Sequence, residues 1–330
     1  MRTPNIIDKI ATGRFTVLFT LIVVIGFIIT RGIAFPNSIP TKENFGLFSN
    51  LISTWITTEP FRVLLDCAFV LLFAFILNHA DTRYNIIRAR TSLPFYMAGL
   101  LLATNNFILG NSVESIGALL IILAISSLFA SYQHPRAEKQ AFDISFLLSL
   151  ASLLWLKCIF LLPVFWIGMY MMKTLNLKSF AASLIGIITP YWFAFFYFAY
   201  IDDYSPLLNH LLSIIDFQWI DFMKAPLFTW IHLGVTLLAT LFSIGHTIFS
   251  SFTDKIRTRS YLNFLFLVLI SSYILFAIDF GRSGTAVILL YLISAFLISH
   301  LFASVRGRFA SLLFYSLFYT YTIIYLWSLS

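Results

Sequence analysis

The sequence predicts an all-α integral membrane protein of about eleven transmembrane helices, and three observations carry that expectation. Hydrophobic residues make up 60% of the 330-residue chain and charged residues only 11%, whereas soluble domains carry roughly 25% charged residues. The apolar residues gather into eleven runs, at 15–31, 61–79, 94–109, 116–132, 142–157, 159–173, 179–200, 227–250, 261–279, 285–303 and 309–328. The charges between those runs then sort by side. With an inner N-terminus, one set of connections holds most of the basic residues, among them Arg83, Arg88, Arg90, Lys173, Arg257 and Arg308. The other set gathers Glu43, Glu59, Glu114, Asp202, Asp203, Asp216, Asp221 and Asp279. That asymmetry is the positive-inside pattern, and it makes the acid-rich side the outer one.

Taken in order, the first run, from Phe15, is long enough to span and shows no small-residue cleavage site, so it reads as a first helix and not as a cleavable signal. Several later runs have 15 or 16 residues, fewer than the roughly 20 of a perpendicular span, and fit short, tilted or re-entrant helices. Two outer connections are long. The one from Gly32 to Pro60 contains Thr41-Lys42-Glu43-Asn44, a helix-start pattern, followed by Phe45, Phe48, Leu51, Ile52 and Trp55 near helical spacing. The one from Ile201 to Pro226 places Leu207, Leu208, Leu211, Leu212, Ile215 and Trp219 on one stripe. Both are expected to form amphipathic helices lying on the outer surface.

The stretch Phe142 to Lys173 is apolar almost throughout, with Lys157 near its middle. As one helix its apolar interior would measure about 45 Å against a hydrocarbon core of about 30 Å. A hairpin turning near Lys157 and Cys158 resolves the mismatch. Pro163 then sits in the first turn of the returning helix, where its missing N–H costs little. Lys157 is thereby placed at the outer boundary instead of mid-membrane, where a lone ammonium would cost several kcal/mol.

Motifs exclude several classes of function. There is no phosphate-binding glycine loop, dinucleotide fingerprint, nucleophile elbow or zinc-helix motif. Cys67 and Cys158 lie in or beside apolar runs and read as packing thiols. The net charge of +7 follows membrane side and forms no aromatic-interleaved basic patch, so nucleic acid is not an expected partner; membrane lipids are. His246 lacks a second histidine at ligand spacing. Arg62 and Asp66, four apart, share a helix face, and Asp279 and Arg282 flank a tight turn where a local pair is expected. Asp202-Asp203 could supply a base or hold a divalent cation.

The segment from Ser126 to Met169, with its short basic connection, Leu150-Ala151-Ser152-Leu153, Lys157 and Leu162-Pro163, resembles a recurring piece of the multi-span GT-C glycosyltransferases. Those enzymes use polyprenyl-phosphate sugars at the outer face. The next helix, with Ser183-Leu184-Ile185-Gly186 and Thr189-Pro190-Tyr191-Trp192-Phe193, is similar to a family of uncharacterised bacterial polytopic inner-membrane proteins, a likeness running from about Asn78 to Asp203. The first resemblance implies sugar transfer from a polyprenyl-phosphate donor, with Lys157, Arg62 and Arg282 on the substrate side and a catalytic carboxylate among Glu43, Asp202 and Asp203. The second implies a multi-pass protein of the bacterial inner membrane, and the charge sorting gives it a cytoplasmic N-terminus. GT-C enzymes carry an aspartate early in the first outer loop, where this chain has Glu43 and Glu59 instead. Two other classes stay open on the residues: a non-enzymatic scaffold or assembly component, and a secondary transporter built around Asp66 and Arg62.

Overall fold

The protein is an all-α membrane protein. A computed structural model describes residues 16–34, 46–48, 59–87, 91–105, 110, 112–134, 136–250, 254–280, 282–305 and 308–329. Among them are twelve α-helices: α1 Thr16–Ala34, α2 Glu59–Tyr84, α3 Leu93–Ala103, α4 Ser112–Ala130, α5 Glu138–Leu154, α6 Leu162–Met171, α7 Leu177–Ile201, α8 Ser205–Leu212, α9 Leu227–Ser250, α10 Ile256–Ile278, α11 Gly284–Ser304 and α12 Arg308–Leu329. Eight of these, α1, α2, α4, α7 and α9 to α12, are long and apolar enough to cross a membrane. The remaining runs, 94–109, 142–157 and 159–173, form the shorter α3, α5 and α6.

The middle of the bundle is α11, buried from Gly284 through Phe302, and α3, buried along its whole length. A helix apolar on every side belongs inside such a bundle, where it has no polar face to present. Around this pair pack α1, α2, α4, α9, α10 and α12, while α5 to α7 form a limb attached through α4 and α10.

The expected hairpin is present, with its turn at Trp155. There the backbone becomes extended (φ −148°, ψ 103°), and the chain returns as a 3₁₀ segment, Leu156–Leu161, that runs into α6 with Pro163 in the first turn. The outgoing leg rises about 26 Å, and the returning 3₁₀ and α segments together about 27 Å. The two legs therefore cross the same depth. The Met172 carbonyl accepts from the Gln133 amide at 3.0 Å, which brings the end of the return leg back beside the end of α4.

Helices in lipid gain little from burying apolar surface against one another, so close approach has to come from small residues and interhelical hydrogen bonds. The α5–α7 seam is built that way. Ala141, Ser145, Ser149 and Ser152 of α5 face Ser183, Gly186, Pro190 and Ala194 of α7, all buried. Ser149 Oγ donates to the Ile187 carbonyl and Ser152 Oγ bonds Tyr191 Oη, both at 2.7 Å. At Gly186 an added Cβ would lie 2.6 Å from the Phe142 carbonyl oxygen, and backbone cannot yield as a side chain would.

The second long connection, from Ile201 to Pro226, is helical for less of its length than its stripe predicts. Within the stripe only Ser205–Leu212 forms an α-helix, with a short 3₁₀ turn beyond it at Phe222–Lys224. Gln218 instead bridges in extended form to the end of α10, where its amide donates to the Ile278 carbonyl at 3.0 Å and the Phe280 amide donates to its carbonyl at 2.7 Å. The expected first surface helix lies outside the described residues apart from Gly46–Phe48.

Gly186→Val is expected to push α5 and α7 apart and to cost about 1–3 kcal/mol, the usual range for overpacking. Thermal unfolding in detergent, beside Gly234→Val at a position with open space around it, checks this.

Candidate functional site

The hairpin tip delivers Lys157 into a buried charge cluster. Its Nζ lies 2.7 Å from Asp279 Oδ1, and the two side chains are 3% and 2% exposed. This contact is an ion pair without hydrogen-bond alignment at Oδ1. The other carboxylate oxygen, Oδ2, accepts from Trp155 Nε1 at 2.7 Å. Lys157 Nζ also donates to the Asp216 carbonyl at 2.5 Å and sits 5.0 Å above the Phe217 ring. The sequence produces this locally for a simple reason: the break at Trp155 turns both Trp155 and Lys157 toward the end of α10, where Asp279 follows the last helical residue.

Asp216 links the buried pair to the surface. Its carbonyl serves Lys157, while its carboxylate Oδ2 lies 2.5 Å from Arg282 Nη1, with side chains 55% and 15% exposed. The hydrogen bond and charge of Arg282, with a smaller contribution from Lys157, hold the Asp216 carboxyl below the usual carboxylate range. The pairing thus differs from the local Asp279–Arg282 pair that sequence proximity suggests. Asp279 takes Lys157, and Arg282 takes Asp216, because Asp279 turns inward under the hairpin while Arg282 stays at the rim.

The other residues singled out by sequence divide into those brought to this end and those that are not. Asp202 is the left-handed C-cap of α7 (φ 58°). Asp203 Oδ1 accepts from the Ser205 amide at 3.0 Å and from the Ser205 hydroxyl at 2.5 Å, bonds that keep its carboxyl below the ordinary range. Both are exposed, and both shape the turn into α8. Arg62 lies near the start of α2, one turn before Asp66. Asp66 is buried and accepts from the Gly110 amide at 2.8 Å; it lies about 10 Å into α2, some two turns past that helix's start. His246 is half-buried on α9. Glu43 lies outside the described residues.

The first long loop nevertheless reaches the same place. The Leu47 amide donates to the Leu153 carbonyl at 2.9 Å, two residues before the hairpin turn. Phe48 lies 6.0 Å from Tyr197 and 6.4 Å from Phe198, near the end of α7. His210 of α8 contacts the Ser152 carbonyl at 2.9 Å. The first loop, the hairpin tip, the end of α7, α8 and the α10–α11 junction therefore meet at one end of the bundle. Beside them the outward side of α8 and its continuation exposes Leu208, Leu211, Leu212, Ile215, Phe217 and Trp219.

Sequence reading missed Asp279 and Asp216 as partners of Lys157, and Trp155 as a partner of Asp279. Asp216 is 59 positions away from Lys157, and no local pattern connects the two. Among the described residues no group of three or more potential metal ligands gathers. Comparison of the chain with protein-family models, with curated proteins and with solved structures found no match.

Removing one member of a buried pair strands the other charge in low dielectric. Lys157→Ala is expected to cost about 3–5 kcal/mol, and the Lys157→Ala/Asp279→Ala double variant less than the sum of the two single changes. A double-mutant cycle by chemical or thermal unfolding reads this out. The Asp216–Arg282 contact has a depressed carboxyl, so its contribution is full above the unfolded carboxylate value of about 3.9. It is lost as pH falls through the lower folded value. Hydrogen exchange at the Gln218 and Phe280 amides, corrected for intrinsic rate, is expected to speed up only in that acid window.

Proposed function

We propose that the Lys157 end of the bundle is the outer face and moves a sugar from a polyprenyl-phosphate donor to an acceptor there. The observation that supports this reading is the meeting at one end of the three segments that carry its chemistry. These are the first loop, with Glu43 three residues before Gly46; the hairpin tip; and the end of α7, with Asp202-Asp203. The exposed apolar side of α8 and its continuation offers an isoprenoid chain a surface at the same level.

On this reading the roles divide differently from the sequence expectation. Lys157, committed to Asp279, is a post that fixes the tip and the Asp216 loop. Arg282, at the rim, is the cation placed to exchange the Asp216 carboxylate for a donor phosphate, which a planar guanidinium matches in bidentate fashion. A carboxylate from Glu43, Asp202 or Asp203 takes the proton of the acceptor hydroxyl as that oxygen bonds to the anomeric carbon. The bond from the anomeric carbon to the phosphate oxygen breaks, its electron pair leaves on the polyprenyl phosphate, and Arg282 stabilises that charge.

A non-catalytic assembly component is the second reading, and one observation favours it: Lys157, Asp279, Asp216 and Arg282 satisfy one another within the protein.

Turnover of a polyprenyl-phosphate sugar by the purified chain in lipid separates the two. Transfer predicts that Arg282→Ala loses about 10²–10³-fold in rate, as for removal of a charge-stabilising donor. It also predicts a loss of about 10²–10⁴-fold in whichever of Glu43→Gln or the Asp202→Ala/Asp203→Ala pair removes the base. Turnover equal to wild type in all of these variants, or none in folded wild-type protein with a panel of such donors, would sink the transfer reading.

A further inference from the structure

Helix α9 is inside out relative to its surroundings. Its buried residues are Thr229, His232, Thr236, Thr240, Ser243 and Thr247, every one of them polar, while Leu238, Leu241, Phe242, Ile248 and Phe249 on its other sides are exposed. The buried positions are spaced by three or four residues, so they form one continuous stripe. From Thr229 to Thr247 that stripe rises about 27 Å, close to the roughly 30 Å of a bilayer's hydrocarbon core.

Polar groups from three other helices and from the residue that caps α3 meet the stripe. Thr104, just past α3, bonds His232 Nε2 through its hydroxyl, and Tyr291 of α11 bonds Nδ1 through its own, both at 3.0 Å. Thr236 Oγ1 bonds Tyr321 Oη of α12 at 2.9 Å, and the Tyr273 hydroxyl of α10 lies beside Thr240. Ser243 Oγ donates to the Leu297 carbonyl of α11 at 2.6 Å. On α11, Ser294 falls three residues from both Tyr291 and Leu297, the two α11 residues that bond α9. It is fully buried, and its hydroxyl has no partner among the described residues.

Serine and threonine do join membrane helices without further purpose, and Thr236, Thr240 and Thr247 each bond the carbonyl four residues back. Adhesion alone, however, calls for neither an imidazole at hydrocarbon depth nor an unpartnered buried hydroxyl beside the seam. Successive stripe positions are about 4.5–6 Å apart along the axis, roughly two hydroxyl hydrogen bonds of about 2.8 Å each. Tyr291 and Tyr321 set their hydroxyls on His232 and Thr236, while the buried hydroxyls of Tyr273 and Ser294, which have no hydrogen-bond partner among the described residues, are left over for links farther along. All six stripe residues are 4% exposed or less, so the seam is filled and leaves no room for a solute.

We propose that the polar face of α9 is a proton path across the membrane, independent of any chemistry at the Lys157 end. Each hydroxyl accepts a proton from one neighbour as it releases its own to the next. His232 takes a proton on one ring nitrogen while the other gives one up, and so returns to neutrality. The charge moved is balanced by a counter-ion crossing separately.

The test uses the full chain in phospholipid vesicles with an internal pH dye, a potassium gradient and valinomycin to carry the compensating charge. The expected result is proton uptake above protein-free vesicles, falling to the protein-free level in His232→Gln and in Thr240→Val, which removes a hydroxyl at nearly constant volume. Leu238→Ala, on the lipid side, is expected to leave the flux unchanged. If Thr240→Val fails to fold, Thr236→Ser and Thr236→Ala take its place; the path predicts flux in the first and not the second. Uptake no faster than in protein-free vesicles, or wild-type flux in the hydroxyl-deleted and His232→Gln variants, overturns the proposal.

Discussion

The contact between Lys157 and Asp279 governs how one whole end of this bundle is arranged. Each charge alone would be costly where it lies, because desolvation of an ammonium or a carboxylate is worth several kcal/mol even after relaxation. Together, with the Trp155 indole on the second carboxylate oxygen and the Asp216 carbonyl on the ammonium, they can be buried. That requirement draws the hairpin tip, the end of α10 and the α8–α9 connection to a single point. Such a pair adds little net stability over an apolar substitute, and its larger effect is on which arrangement forms. Here it selects the arrangement in which Asp216 turns its carboxylate outward to Arg282.

Much of the architecture was readable because lipid imposes simple rules. Eight long apolar helices follow from run length, and the hairpin follows from a run too long for one span and too polar at its middle. Pro163 falls in the first turn of the returning α-helix as expected, after a 3₁₀ segment that opens the leg. What the sequence withheld are partnerships between distant segments. Asp279 and Arg282 are three apart and invite pairing, yet a lysine 122 positions earlier competes for Asp279 and prevails because it is buried beside it. For the same reason the apolar stripe from Leu207 to Trp219 reads as one helix. Tertiary pairing of Gln218 with Ile278 and Phe280 pulls its second half into extended form.

The candidate site shows the same division. Asp202 and Asp203 were visible as an acidic pair, and their tasks in the structure, a left-handed cap and a turn to Ser205, are those that short acidic side chains perform at helix ends. Trp155 and Asp216 carried no local signal. The stripe on α9 could have been found from residue spacing, since Thr229, His232, Thr236, Thr240, Ser243 and Thr247 keep a regular register. A search for apolar faces passes over it, because in a membrane the informative face of a helix is the polar one.

The two seams use small polar side chains in different ways. Between α5 and α7, serines stand among Ala141, Gly186 and Ala194, and their hydroxyls reach across to one carbonyl and one tyrosine; the backbones are close enough that Gly186 admits no Cβ. That is adhesion, achieved by removing bulk. Against α9 the facing residues are bulky, Tyr273, Tyr291 and Tyr321, so closeness of backbones is not what the stripe secures. Tyrosine is an expensive way to fill space in hydrocarbon, because its hydroxyl must find a partner. Phenylalanine, present 37 times in this chain, would fill the same volume without that demand. Two of the tyrosine hydroxyls, those of Tyr291 and Tyr321, are explained by the α9 side chains they bond, His232 and Thr236. That of Tyr273, buried beside Thr240 without a hydrogen-bond partner among the described residues, is one that adhesion between the helices does not account for.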